Sequence, residues 1–165
     1  MAVTLILGGA RSGKSSRAQA LAEAESDTRT FIATAEALDD EMAERIARHQ
    51  SDRGKGWTTI DAPLSLADAL RRSTGKVVLV DCLTLWLSNV MHHERDPDQE
   101  TARLLETFDT PKTLILVSNE VGFGLVPETR LGRRFRDAQG RLNQAVAAAC
   151  DRVELVVAGL PLVLK

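Results

Sequence analysis

Gly8-Gly9-Ala10-Arg11-Ser12-Gly13-Lys14-Ser15 decides the fold of this chain. The stretch fits G-x-x-x-x-G-K-[ST], a loop whose backbone N–H groups surround a phosphate, without a mismatch. Its flanks fit as well. Val3-Thr4-Leu5-Ile6-Leu7 is an apolar run of strand type, and residues 16–24 read as helix. Glycines let the backbone turn its N–H groups toward an anion, and the N-terminus of the following helix adds positive potential. The motif assigns Lys14 to the β/γ-phosphates of a nucleoside triphosphate and the Ser15 hydroxyl to Mg²⁺.

Outward from this loop, strand and helix patterns alternate. Strands are expected at 30–33, 57–60, 76–80, 113–117, 152–158 and 162–164, and helices at 40–52, 64–72, 83–91, 97–108 and 129–150. Continuous Val/Ile/Leu runs mark strands covered on both faces, and alternation with helices marks parallel pairing. The expected fold is α/β: a P-loop NTPase fold of RecA-like type, with a mostly parallel central sheet flanked by helices. Residues 1–165 carry no repeat, low-complexity stretch or linker. Gly54-Lys55-Gly56 reads as a turn, so a single nucleotide-binding catalytic domain is expected.

Asp81 is the second chemical signal. It follows Val77 to Val80 at the end of an apolar strand. An acid at the carboxyl end of a strand adjoining the P-loop strand holds Mg²⁺ or its water, at the edge where open α/β sheets bind ligands. His49 is the third. Arg45, His49 and Arg53 are spaced i, i+4, i+8 and share one helix face. That face reads either as a solvated cationic surface near a helix C-terminus or as a nucleophile flanked by arginines that neutralise phosphate. Spacing alone does not choose.

Composition restricts the classes. A net charge of −2 gives no field favouring DNA, RNA or a membrane surface. No apolar run reaches the ~18 residues of a spanning helix. The chain enters its first strand without a targeting segment, which predicts a cytoplasmic protein. Cys82 and Cys150 follow no metal-ligand spacing and lie in apolar stretches, so buried free thiols are expected.

Further blocks carry a resemblance. Phe31-Ile32-Ala33-Thr34-Ala35 precedes Asp39-Asp40-Glu41-Met42. Arg45 to Arg53 contains an R-I-x-x-H pattern with a following arginine. Trp57, Thr59 and Asp61-Ala62-Pro63 form a W-x-T-x-acid-x-P turn. Val80-Asp81-Cys82-Leu83-Thr84-Leu85-Trp86, Ser118-Asn119-Glu120-Val121-Gly122 and the segment from Leu131 to Gln144 complete the series. In this order, and with the Ala-Arg of its P-loop, the chain resembles the bifunctional adenosylcobinamide kinase / adenosylcobinamide-phosphate guanylyltransferase family of cobalamin biosynthesis.

The resemblance implies two reactions. ATP or GTP phosphorylates adenosylcobinamide, and GTP then donates GMP to adenosylcobinamide phosphate through a GMP–histidine. That histidine maps onto His49. The family's nucleotide-contacting positions map onto Gly8, Gly9, Ala10, Arg11, Ser12, Gly13, Lys14 and Ser15. They continue at Ala33, Thr34, Ala35, Gln50, Ser51, Asp52, Arg53, Asp61 and Asp81, with Ser15 and Asp81 toward Mg²⁺. A homo-oligomer is implied as well. The chain departs from the family at Gln50, where a basic residue is common, at Asp61, where glutamate is common, and in a short connection from His92 to Thr110. The rival readings are a simple P-loop small-molecule kinase and a non-enzymatic NTP-binding switch.

Overall fold

The computed structural model describes residues 2–36 and 54–165. Among these, seven strands form one sheet in the order β3-β2-β4-β5-β1-β6-β7. The strands are β1 (Val3–Gly8), β2 (Arg29–Ala33), β3 (Trp57–Asp61), β4 (Val77–Asp81), β5 (Thr113–Asn119), β6 (Arg152–Val157) and β7 (Leu160–Val163). Pairing is parallel throughout except for β6 with β7, an antiparallel hairpin at one edge. The helices are α1 (Lys14–Glu25), α2 (Leu66–Arg72), α3 (Leu83–His92), α4 (Pro97–Leu105) and α5 (Arg130–Ala149).

The apolar runs put β1, β4 and β5 at the centre of the sheet because each must be covered twice. One face carries Ile6, Val77, Leu79, Ile115, Val117 and Val156 under Ala18, Leu21 and Ala22 of α1. The other carries Leu5, Ile32, Val78, Val80, Leu114 and Leu116 under residues of α2, α3, α4 and α5, with Trp86, Leu87 and Leu142 fully enclosed or nearly so.

Local chemistry sets the helix starts. Asp96 accepts from the N–H groups of Asp98 and Gln99 ahead of Pro97, which is a strong start signal for α4. Thr129 accepts from Gly132 N–H and opens α5. Most boundaries shift by a residue or two from expectation, and three of them have a visible local cause. The 97–108 helix closes at Leu105, where Thr107 and Phe108 fold into turns that donate to Leu104 and Leu105 carbonyls. The 64–72 helix begins at Leu66, past the Leu64 carbonyl that accepts from Leu66. The last strand begins at Leu160 because the reversal at Ala158 and Gly159, both at positive φ, is tight enough to start pairing at once. The expected 40–52 helix lies outside the described residues.

Candidate active site

The P-loop occupies the gap between the end of β1 at Gly8 and the start of α1 at Lys14. Gly13 caps the helix in the left-handed region, with φ 95° and ψ 5°. A Cβ there would also stand 3.1 Å from the Gly159 Cα. That approach exists because the β6–β7 turn clasps the loop: Gly159 N–H donates to the Ser12 carbonyl at 2.8 Å. The far end of the loop is as tight, since a Cβ on Gly8 would meet the Val156 carbonyl oxygen at 2.7 Å. The loop is thus held by its own helix and by the hairpin beside it.

Lys14 is buried and folds back over the loop, its Nζ donating to the Gly9 carbonyl at 3.0 Å. The first turn of α1 holds no acidic residue, so the helix N-terminus keeps its positive end uncompensated for an anion. Ser15 follows Lys14 in that turn and is exposed. The Ser12 hydroxyl is buried in the loop without a hydrogen-bond partner among the described residues.

Strand register assembles the remaining groups. Asp61, Ala33, Asp81, Val117 and Ile6 pair laterally across β3, β2, β4, β5 and β1, so both acids lie in one row at the carboxyl edge. The strand of Asp81 does not adjoin the P-loop strand, as the sequence reading expected: β5 lies between β4 and β1. The acid and the loop therefore face each other across one intervening strand end. The Cys82 thiol senses both charges. Burial pushes its pKa up, the Asp81 carboxylate pushes it further, and Lys14 pulls it down. Ser15 and Asp81 are a hydroxyl and a carboxylate, the sparse hard-oxygen set that suits Mg²⁺ completed by phosphate and water. The donor chemistry fits that ion.

Thr34, which the resemblance maps to the nucleotide together with Ala33 and Ala35, has its side chain committed to the protein. Its fully buried hydroxyl donates to the Cys82 carbonyl at 2.7 Å and accepts from Cys82 N–H at 2.9 Å. Asn89 Nδ2 donates to the Thr34 carbonyl at 2.8 Å. Thr34 thus braces the turn after Asp81, and the flanking Ala33 and Ala35 offer a nucleotide only backbone and methyl groups. Asp61 is exposed at the edge of the site. His49, Gln50, Ser51, Asp52 and Arg53 lie outside the described residues.

Two groups received no role from the sequence: Glu154, which it did not single out, and a network within the quoted blocks at Ser118 and Leu131 to Gln144. Glu154 is fully buried on β6 and receives a two-pronged bond from Arg17 of α1, Nε to Oε2 at 2.9 Å and Nη2 to Oε1 at 3.0 Å. The Arg17 guanidinium beside it, with Arg152, holds this carboxyl below the usual carboxylate range against the opposing effect of burial. The available signal was an acid inside the apolar run Val153 to Val156. The second group is a buried amide–hydroxyl network. Gln139 Nε2 donates to Ser118 Oγ at 3.0 Å and Asn143 Oδ1 at 2.9 Å, while Ser118 donates to Asn143 Oδ1 at 2.7 Å. It joins α5 to the end of β5. Cys82 and Cys150 are buried free thiols, as expected, and burial raises the Cys150 thiol to about 12.

A groove of about 470 Å³ runs along α5 between Gln144, Ala147, Val153 and Leu164, reaching Leu7 and Glu120 at its upper end. It lies on the sheet face opposite α1, so it is separate from the phosphate loop.

Solved structures share this fold. The flagellar accessory protein FlaH from Methanocaldococcus jannaschii aligns over 99% of this chain and 78% of its own, with a TM-score of 0.58 at 14% identity. The RadB recombinase aligns over 93% of this chain and 73% of its own, with a TM-score of 0.55 at 13% identity. At the level of sequence, the chain is 50% identical over 167 residues to the bifunctional adenosylcobalamin biosynthesis protein CobP of Pseudomonas aeruginosa. That match spans 98% of this chain and 96% of the relative. It is 38% identical over 179 residues to the bifunctional protein CobU of Escherichia coli, spanning 98% of each. The model of the cobinamide kinase / cobinamide phosphate guanyltransferase family matches residues 4–164. A phosphate loop, an edge acid and a full-length match of this kind coincide in one chain, which therefore belongs to the cobinamide kinase / cobinamide phosphate guanyltransferase family.

Proposed function

We propose that this protein phosphorylates adenosylcobinamide with ATP or GTP and then transfers GMP from GTP to the resulting phosphate, giving adenosylcobinamide-GDP. The observation that carries the reading is the P-loop gathered around Lys14 at the carboxyl edge, in a chain that matches the family almost end to end.

In the first reaction the substrate hydroxyl attacks the γ-phosphorus in line. The new O–P bond forms as the β–γ bridging bond breaks, the nucleoside diphosphate leaves and the hydroxyl proton is lost. Lys14 and the backbone N–H groups of residues 8–15 hold the phosphate oxygens and stabilise the charge that builds on them. Ser15 and Asp81 would hold Mg²⁺, which supplies further charge neutralisation on the β- and γ-phosphates. In the second reaction the neutral His49 imidazole attacks the α-phosphorus of GTP and pyrophosphate leaves. The phosphate of adenosylcobinamide phosphate then displaces the histidine and takes the GMP. Asp61, the backbone of Ala33, Thr34 and Ala35, and Gln50 to Arg53 are assigned to the nucleotide.

The free buried thiols suit a reducing compartment, and we place the reaction in the cytoplasm. The exposed apolar side chains of Leu160, Leu162 and Val163 on the edge strand β7 support self-association. Incubation with α- and γ-labelled GTP tests the whole reading. Covalent α-label on the protein and γ-label on adenosylcobinamide are expected. Phosphoryl transfer without α-label would reduce the protein to a kinase, and nucleotide binding alone would reduce it to a switch.

A further inference from the structure

Helix α3 starts at the turn after Asp81 and lays one stripe of polar side chains against two chain exits at the carboxyl edge. The stripe is Trp86 and Asn89 of α3 and His93 at its C-cap, spaced i, i+3, i+7 and therefore on one face. Trp86 Nε1 donates to the Leu64 carbonyl at 2.9 Å. Asn89 Nδ2 donates twice, to the Thr34 carbonyl at 2.8 Å and to the Pro63 carbonyl at 3.1 Å. The Glu36 carboxylate accepts from His93 Nε2 at 3.1 Å. Thr34 and Glu36 belong to the chain leaving β2, whereas Pro63 and Leu64 follow the end of β3.

These bonds act where the sheet no longer does. The ladder between β2 and β3 ends with Ala33 opposite Asp61, and Ala62 N–H then donates to the Ala33 carbonyl at 2.8 Å. Beyond that point the buried Thr34 needs a donor for its carbonyl from elsewhere. One amide serves this carbonyl and that of Pro63 together, so it fixes the spacing of the two exits and their distance from α3. The chain leaving β2 carries Ala33 to Ala35 and then the connection that contains His49, and the chain leaving β3 carries Asp61. Lys14 and Ser15 stand on α1, over the opposite face of the sheet from α3. We infer that Asn89 is a positioning residue for guanylyl transfer. With His93 it sets where the connection carrying His49 leaves the sheet, while phosphoryl transfer, centred on the phosphate loop, does not depend on it.

The inference rests on the two reactions proposed above, with His49 as nucleophile, and its test separates the two. The full chain and its Asn89→Leu, Asn89→Gln and His93→Ala variants are followed by single-turnover labelling with α-labelled GTP and Mg²⁺. Phosphoryl transfer from γ-labelled GTP to adenosylcobinamide and thermal unfolding are recorded for each. Asn89→Leu keeps the size and loses both donated bonds. Its plateau rate of adduct formation should fall about 100-fold, the cost of roughly 1 Å of misplacement, while half-saturating GTP and phosphoryl transfer stay within about threefold. Asn89→Gln, which keeps the amide donor, should recover part of that loss. His93→Ala, at an exposed position, should lose about 2- to 10-fold in the same step only, the scale of one net hydrogen bond. Equal losses in the two reactions would make Asn89 a structural residue and overturn the inference, as would unchanged labelling of Asn89→Leu. Should Asn89→Leu fail to fold, Asn89→Gln and His93→Ala decide by the same comparison. A wild-type chain that takes up no α-label would overturn the guanylyl transfer assigned above and this inference with it. Normal labelling of both wild type and Asn89→Leu would overturn the inference alone.

Discussion

Lys14 is both a partner of its own loop, through Gly9, and the cation the motif assigns to phosphate. Removing it costs the fold one side chain–carbonyl bond and costs the site its buried positive charge. Lys14→Ala should therefore unfold within a few degrees of the wild type yet lose about 100- to 1000-fold in both transfer reactions, the scale of one preorganised donor to developing phosphate charge. Near-normal GTP turnover by the folded variant would remove the P-loop from the mechanism. His49, proposed above as the nucleophile of guanylyl transfer, gives the test that separates the reactions. His49→Ala should abolish the α-labelled adduct while leaving phosphorylation of adenosylcobinamide largely intact, because only guanylyl transfer needs a nitrogen nucleophile. The adduct should be acid-labile and alkali-stable, and retention of α-label by His49→Ala would place the nucleophile elsewhere. At this scale the sequence was most legible where chemistry is contiguous, as in residues 8–15. It was least legible at Thr34, whose place depends on bonds to Cys82 and Asn89, residues brought near only by the fold.

Helix α1 carries Lys14 and Ser15, so its seat on the sheet sets their position. The Arg17–Glu154 bond fixes that seat on the β6 side, one turn into the helix. Glu154 is fully enclosed while Arg17 keeps 32% of its side-chain surface in water, so the pair is buried on one side only. Glu154→Gln leaves two arginines without their anion. It should cost about 2–3 kcal/mol in a denaturant titration, below the ~3–5 of a fully buried pair that loses one member. The acid limb has a definite sign. Folding lowers the Glu154 pKa, so its stabilisation is complete above the ordinary carboxylate range and drains away as pH falls through the lower, folded value. The variant should show a shallower loss of stability on acidification than the wild type, and parallel acid limbs would mean the pair contributes little. Strand and helix identities were readable from apolar runs and from starts such as Asp96-Pro97. Strand order was not, because nothing local tells β4 that β5 will lie between it and β1.

Across the whole molecule, the phosphate loop and the carboxyl edge are tied to many elements through few contacts. The loop joins β1 to α1, Gly159 of the β6–β7 turn holds the Ser12 carbonyl, Glu120 N–H holds Gly8, and Thr34 and Thr84 tie β2 and β5 to the turn after Asp81. Occupying the loop therefore draws on the stability of the sheet as a unit, and binding should be visible as global stabilisation. A ligand that binds only the folded chain adds RT ln(1 + [L]/Kd), about 2.7 kcal/mol at a hundredfold excess over Kd. For a domain of 150–250 residues each kcal/mol is worth about 2–4 °C. Saturating GTP with Mg²⁺ should thus raise Tm by about 5–10 °C in scanning calorimetry. Lys14→Ala should erase most of that rise, and Asp81→Asn should restore it only at higher Mg²⁺, because the asparagine keeps the size but not the charge that holds the ion. A Tm that ignores GTP and Mg²⁺ in the wild type would show that the carboxyl edge does not close around a triphosphate. A rise that survives in Lys14→Ala would show that the nucleotide binds away from the loop.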